Sequence, residues 1–317
     1  MGTVLVTGAA GFAGSHLLEL LARGDAVPGS LAAWARTEPP LALAPLARWA
    51  AVDLLDRARV DDAVAALRPT TVFHCAGSPH VAGSWDDRAV PLEIHLRGTG
   101  HLLAALGRHA PGARVVVTGS AHVYAPSGAP LREEDRVAPA SPYALSKLAQ
   151  EMLALRAVAE DGLDVVVARA FNHTGPRQGD GFVAPALARQ IARIERGALD
   201  PVLRVGSLDA RRDLTDVRDV VRAYALLAAQ GVPGMVYNVA SGVARPVRWI
   251  LDELVARARV PVRVEPDPAR MRPADLPVLV GDASRLREAT GWQPEIAPAR
   301  MFDDLLAYWR DRETSYP

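Results

Sequence analysis

The sequence predicts a doubly wound α/β fold. Short apolar strands alternate with amphipathic helices through the first half, the strands carry little polar alternation, and a glycine turn joins the first strand to the first helix. Strands without alternating polar positions belong to a sheet covered by helices on both faces, and such sheets are parallel. The first strand is Thr3-Val4-Leu5-Val6, and behind it Phe12, His16, Leu17, Leu20 and Leu21 recur at helical spacing. Further strands are expected at 31–35, 50–52, 71–75, 115–118 and 165–168, with helices at 57–67, 91–108 and 142–160 between them. After Phe171 the regularity breaks: residues 172–182 are rich in glycine and polar side chains, a helix is expected at 183–196, and residues 261–277 are dense in Pro and Arg. Long irregular segments often carry binding groups.

The chain of 317 residues is half apolar and 23% charged, which suits a compact fold, and no uncharged apolar run is long enough to span a bilayer. Basic and acidic side chains balance at 36 each, so no net field draws a polyanion, and nucleic acid is not an expected partner. Cys75 is the sole cysteine, which excludes an internal disulfide and a cysteine-based zinc site. It also fits a reducing compartment; with no leader-like segment at Met1, a cytoplasmic location and no membrane partner are expected, and no metal.

Thr7-Gly8-Ala9-Ala10-Gly11-Phe12-Ala13-Gly14 ends the first strand and opens the first helix, the position in which this spacing cradles a dinucleotide. Gly8 permits a tight turn, Gly11 lets the backbone approach a pyrophosphate at the positive helix N-terminus, and Gly14 lets helix and sheet pack closely. The plain alternative is a glycine-rich turn without a ligand. Enzymes that prefer NAD end the second strand on an acid that holds the ribose 2′-hydroxyl. Here that strand ends Ala33-Trp34-Ala35-Arg36, and Arg36 suits a 2′-phosphate, so NADP(H) is the preferred cofactor and NAD(H) the second. Asp53-Leu54, after the third strand, reads either as an adenine contact or as a helix-capping Asp, and the roles are compatible. These readings give a dinucleotide-binding domain over 1–170, with the chain crossing back to it at 216–239, and a smaller C-terminal substrate-binding domain from 171–215 and 240–317.

Ser141-Pro142-Tyr143-Ala144-Leu145-Ser146-Lys147 starts a helix, and the i,i+4 spacing puts Tyr143 and Lys147 on one face. An unperturbed phenol, with a pKa of about 10, is a poor base near neutrality, but a neighbouring ammonium favours the phenolate, and Lys147 is the expected tuner. Ser120, ending an apolar strand, is placed to steady a substrate oxygen. Taken alone, a tyrosine and lysine at this spacing are a packed ring and a solvated charge. The conjunction with Ser120 and the glycine turn favours chemistry.

Together the glycine turn, residues 72–77, Ser120 with Val123-Tyr124, and Tyr143 with Lys147 resemble the extended short-chain dehydrogenases/reductases that act on nucleotide sugars, over nearly the whole chain. Residues 168–176, 210–220 and 267–275 resemble the GDP-mannose branch, which holds GDP-mannose 4,6-dehydratases and the reductases of the resulting 4-keto sugar. The resemblance implies a Rossmann-type sheet and catalytic Ser120, Tyr143 and Lys147. It implies cofactor contacts from Gly8, Gly11, Phe12, Ala13, Gly14, Arg36, Asp53, Leu54, Ala76, Tyr143 and Lys147, and substrate contacts from His122, Asn172, Phe182, Val183, Arg212 and Arg272. Arg212 and Arg272 suit the two phosphates, because a guanidinium donates in pairs; their plain alternative is a solvated surface.

Dehydration requires a base for the C5 proton, which the dehydratases keep as a Glu two residues beyond the catalytic Ser or Thr. This chain has His122 there. The expected reaction is therefore NADPH-linked reduction of the C4 ketone of a GDP-4-keto-6-deoxyhexose, of the type that converts GDP-4-keto-6-deoxy-D-mannose to GDP-D-rhamnose, with Tyr143 as proton donor. A nucleotide-sugar 4-epimerase is the second reading, and a dehydratase with His122 as base the third. His122 reads as substrate positioning or as packing, and His173 shares that ambiguity. The family also implies a homodimer through the helices at 91–108 and 142–160.

Overall fold

The computed structural model describes residues 2–24, 29–78, 83–85, 87–271 and 277–314. The first half runs β1 (Thr3–Thr7), α1 (Phe12–Ala22), β2 (Ser30–Ala35), β3 (Arg48–Ala51), α2 (Arg57–Leu67) and β4 (Thr71–His74). Then come α3 (Ala89–Leu92), a π-helical stretch (Glu93–Gly98), α4 (Thr99–His109), β5 (Arg114–Ser120), α5 (Pro142–Asp161) and β6 (Asp164–Ala170). The remainder is β7 (Asn172–Thr174), α6 (Val183–Glu195), β8 (Val202–Val205), β9 (Arg211–Asp216), α7 (Val217–Gln230), β10 (Val236–Val239) and β11 (Ala244–Pro246). It closes with α8 (Val247–Val255), β12 (Arg263–Pro266), β13 (Val278–Leu279), α9 (Ser284–Thr290) and α10 (Pro298–Thr314).

Seven strands form one sheet in the order β10-β6-β5-β4-β1-β2-β3, and every pairing in it is parallel. The central stretches of β1, β4, β5 and β6 are apolar on both sides because both faces of the sheet are buried. Val4 and Val6 join the layer packed by α1 and α7, whereas Leu5 joins the layer packed by α2, α4 and α5. Val116 and Val115 of β5 divide in the same way. A third core, built from Ile191, Leu203, Leu251, Phe302 and their neighbours, unites α6, α8 and α10 with β8.

Three expectations need correction. The third strand begins at Arg48, not at residue 50: Arg48 pairs with Ala32 at the sheet edge, where a strand needs only one covered flank and keeps polar side chains. The helix expected at 91–108 is interrupted by the π-helical stretch, which shifts the register of the side chains before Thr99. The segment at 261–277 contains β12, which pairs in parallel with β8.

Two local devices aim α5. Ser141 caps the helix by accepting from the Ala144 N–H at 3.1 Å, and Pro142 occupies its first position. One turn past Lys147, Glu151 receives Arg169 of β6 in a two-point ion pair at 2.8 and 2.6 Å, both side chains buried. Removing one partner of such a pair costs on the order of 3–5 kcal/mol, because the survivor is a bare buried charge. The middle of α5 is thereby tied to β6.

Candidate active site

A cleft opens at the C-terminal ends of β1, β2 and β4, where β1 lies between β4 and β2 and the winding of the sheet reverses. Its walls include Gly8, Gly11, Arg36, Asp53, Leu54 and Ala76 from among the expected residues. Thr7, Trp34 and Gly77, which the sequence motifs contain, share the lining, as do Thr37 and Ile94, which no motif marks. Gly8 has φ +66°, and a Cβ there would meet the Ala76 backbone at 2.7 Å. A Cβ on Gly14 would fall 2.2 Å from the Gly8 carbonyl oxygen, so α1 can close on the turn only without one. Gly11 precedes α1 without a side-chain cap, leaving first-turn N–H groups to an external acceptor. This donor set fits a dinucleotide pyrophosphate.

Arg36 stands exposed on the cleft rim. Asp53 accepts from the Leu55 N–H at 3.0 Å, and the cap of α2 is Asp56, which accepts from Arg59 N–H at 3.0 Å. The capping role read for Asp53 is thus corrected: α2 starts at Arg57, too far along for Asp53 to reach its N–H groups. Phe12, Ala13 and Gly14 lie off the cleft wall. The Phe12 ring instead stacks on His173, with centroids 5.7 Å apart and planes 7° from parallel.

Ser120 ends β5, and Tyr143 and Lys147 stand one turn apart on α5. Burial raises the Tyr143 phenol above its ordinary pKa, against a smaller downward pull from its hydrogen bond with Ser120. Lys147 is buried, donates from Nζ to Thr118 O at 2.9 Å and to Gln150 Oε1 at 3.0 Å, and is lowered to about 8 by burial. Two of the ammonium's three protons go to Thr118 and Gln150, and desolvation dominates at the phenol.

His122 follows Ser120 on a single turn and donates its N–H to Ser120 Oγ at 3.2 Å. Its ring meets Tyr143 edge-on with centroids 6.1 Å apart. Burial first, and then the charge of Arg212, depress it to about 4, so it is a neutral and weakly basic imidazole at physiological pH. Pairing of β7 with β9 brings Asn172 beside Leu214 and so into the neighbourhood of Arg212. Asn172 Oδ1 is buried with no hydrogen-bond partner among the described residues, an acceptor that a substrate hydroxyl would satisfy. Phe182 sits at the N-cap of α6, Val183 is its exposed first residue, and Arg212 Nη1 donates to Arg211 O at 2.9 Å. Arg272 lies outside the described residues. Among the described residues no group of three or more His, Cys, Asp or Glu side chains could hold a metal, and no helix is long and apolar enough to cross a membrane.

The profile of the NAD dependent epimerase/dehydratase family matches residues 4–240. The chain is 38% identical over 312 residues to GDP-6-deoxy-D-mannose reductase of Pseudomonas aeruginosa, covering 98% of this chain and 97% of that one. It is 29% identical to GDP-mannose 4,6 dehydratase 2 of Arabidopsis thaliana, over 98% of this chain and 86% of the relative. Among solved structures it superposes on RMD from Pseudomonas aeruginosa complexed with NADPH with a TM-score of 0.85 at 36% identity, covering 98% of this chain and 100% of that one.

Proposed function

The chain belongs to the NAD dependent epimerase/dehydratase family, and within it we propose an NADPH-linked nucleotide-sugar reductase acting on the C4 ketone of a GDP-4-keto-6-deoxyhexose. The product class is GDP-D-rhamnose. One observation carries the choice of reduction over elimination: Ser120, His122 and Tyr143 face one another at the end of β5 and all three are held uncharged. A phenol kept protonated by burial suits the donor in a reduction. An elimination needs a base for the C5 proton, and the His122 imidazole, depressed to about 4, is a weak one.

NADPH, when bound, supplies the hydride to C4. Tyr143 gives its proton to the C4 oxygen, and Ser120 steadies that oxygen while negative charge gathers on it. Lys147 holds its charge beside the cleft, where a built Gly77 Cβ would lie 3.8 Å from Nζ, and so favours the phenolate left after transfer. On the substrate side Arg212 and Arg272 suit the diphosphate, Asn172 the sugar, and Phe182 with Val183 the base. Gly8, Gly11, Arg36, Asp53, Leu54 and Ala76 serve the cofactor from the cleft wall, and Phe12, Ala13 and Gly14 serve it through the backbone of the first turn of α1.

The test follows NADPH absorbance with GDP-4-keto-6-deoxy-D-mannose, in the native enzyme and in Tyr143→Phe. Loss of the proton donor is expected to lower kcat by about 10²–10⁴-fold. A native enzyme that leaves NADPH untouched, or turns over without added nucleotide as an epimerase would, overturns the reading. We further infer a dinucleotide-binding domain over 1–170 completed at 216–239, with the rest forming the substrate domain, and a cytoplasmic setting in keeping with the single cysteine. A homodimer is supported by exposed Val90 and Leu96 on the helical run ending in α4 and by exposed Leu145 and Met152 on α5.

A further inference from the structure

Lys147 is the only lysine in the sequence, and the polar side chains around it form one connected, buried chain. Its Nζ donates to Gln150 Oε1 at 3.0 Å, Gln150 Nε2 donates to Thr99 Oγ1 at 2.8 Å, and Thr99 Oγ1 meets His74 Nε2 at 2.8 Å. His74 Nδ1 meets Thr7 Oγ1 at 2.8 Å, and Thr7 Oγ1 accepts from the Ala76 N–H at 3.3 Å. Thr7 and Ala76 both line the cofactor cleft.

The donor directions are set from the lysine end. An ammonium only donates, so the Gln150 oxygen faces Lys147 and its amide N–H₂ faces Thr99. At the other end the Thr7 oxygen receives the Ala76 N–H, and neutral His74, which carries one ring hydrogen, donates to one of the Thr7 and Thr99 hydroxyls and accepts from the other. His74 is depressed to about 3 by burial, so the ring is neutral.

We propose that Gln150 is a positioning residue for Lys147, and that Thr99 and His74 extend its hold to Thr7 and Ala76 in the cofactor cleft. Gln150 is almost completely buried, at 1% exposure, in a place where an apolar side chain would fill the same volume without any polar group to satisfy. Its two ends are both used, one on the ammonium and one on Thr99. With Thr118 O and Gln150 Oε1 taking two protons of Nζ, the third remains for the cleft that Gly77 lines. The titratable groups that sense the Lys147 charge are His74 and Cys75 at the end of β4 and His95 in the π-helical stretch, and Tyr143 stands one turn away on the same helix. His74 and His95 are neutral, the Cys75 thiol is pushed up to about 12, and Tyr143 is protonated, so removing the Gln150 acceptor leaves no carboxylate to replace it in this set.

The role assigned to Lys147 rests on the reductase reading, but the hold of Gln150 on it does not, and the two are measured separately. Protein labelled at the lysine ε carbon gives one lysine signal, whose chemical shift titrates with Lys147 alone in the ligand-free enzyme. In Gln150→Leu, loss of one hydrogen bond to the charged form is expected to move the midpoint down by about one pH unit, and in Gln150→Glu the added charge moves it up by at least as much. Thr99→Val, which frees the amide, shifts it in the same direction as Gln150→Leu and by less. With ketosugar and NADPH, Gln150→Leu is expected to lower kcat about tenfold at neutral pH with the ketosugar KM within about threefold, and Gln150→Glu to restore part of it at higher pH. Midpoints that coincide with the native one in both Gln150 variants overturn the proposal. A native enzyme that ignores the ketosugar overturns the reductase reading alone, with the lysine titration unaffected.

Discussion

Acid should unfold this protein through its histidines. His16 and His122 are depressed to about 4, His74 to about 3 and His95 to about 2, each chiefly by burial, from an ordinary value of 6.5. A group whose folded pKa lies below its unfolded one stabilises the fold fully above the unfolded value, and that stability drains as pH falls toward the folded value. The window here runs from 6.5 downward, because the unfolded chain takes up protons that the folded chain refuses. Each histidine then contributes about 1.4 kcal/mol per pH unit, or about 2 kcal/mol between pH 7.5 and pH 5. Four together approach about 8 kcal/mol, which is comparable with the whole stability of an ordinary domain at about 5–15 kcal/mol. The assay is urea unfolding followed by far-ultraviolet circular dichroism at a series of pH values and fixed ionic strength. The midpoint should fall steeply below about pH 6.5, and replacing His16, which hydrogen-bonds Pro176 O at 2.8 Å, by Gln should remove about a quarter of the slope. A midpoint that stays level from pH 7.5 to pH 5 would refute the assignment of these rings as buried and neutral.

Gly14→Ala forces a Cβ to within 2.2 Å of the Gly8 carbonyl, a backbone atom that cannot step aside, so α1 must lift from the turn. NADPH affinity, read by fluorescence titration, should fall at least about tenfold and Tm by several degrees, as overpacking costs about 1–3 kcal/mol. Unchanged binding would show that the turn does not carry the cofactor. Arg36→Ala should raise the NADPH KM about tenfold or more while leaving that of NADH within about threefold, since a charge-assisted hydrogen bond is worth about 1.5–3 kcal/mol. Equal effects on both nucleotides would remove Arg36 from 2′-phosphate recognition. Met152→Glu, at a side chain 63% exposed on α5, should convert a dimer to monomers in sedimentation; a monomeric native protein would end that inference at once.

The parallel sheet was legible because both of its faces are buried: Val4, Leu5 and Val6 alternate between two cores, yet all read as apolar. The glycine turn was legible for a similar reason, since a positive φ at Gly8 and the contact at Gly14 admit no other residue without strain. Edge strands were harder. β3 and β12 carry Arg48, Arg263 and Glu265 because one flank faces solvent, and their apolar signal is correspondingly diluted. The cleft residues Thr37 and Ile94 have no common spacing and meet only when the end of β2 and the π-helical stretch converge.

The sequence by itself determined the alternation of strands and helices in a doubly wound sheet, the glycine turn and the placing of Tyr143 and Lys147 on one helix face, because each is written in local spacing or in residues that only one backbone conformation accepts. Tertiary structure alone decided their protonation. Whether His122 is a base, Tyr143 a donor or Lys147 tied to Gln150 depends on how much water each has lost and which partners replace it. His74 and Thr99, 25 residues apart, reach one another at 2.8 Å only after β4 and α4 pack. Desolvation is a property of the assembled surroundings, summed over residues distant in the chain, and no short spacing records it.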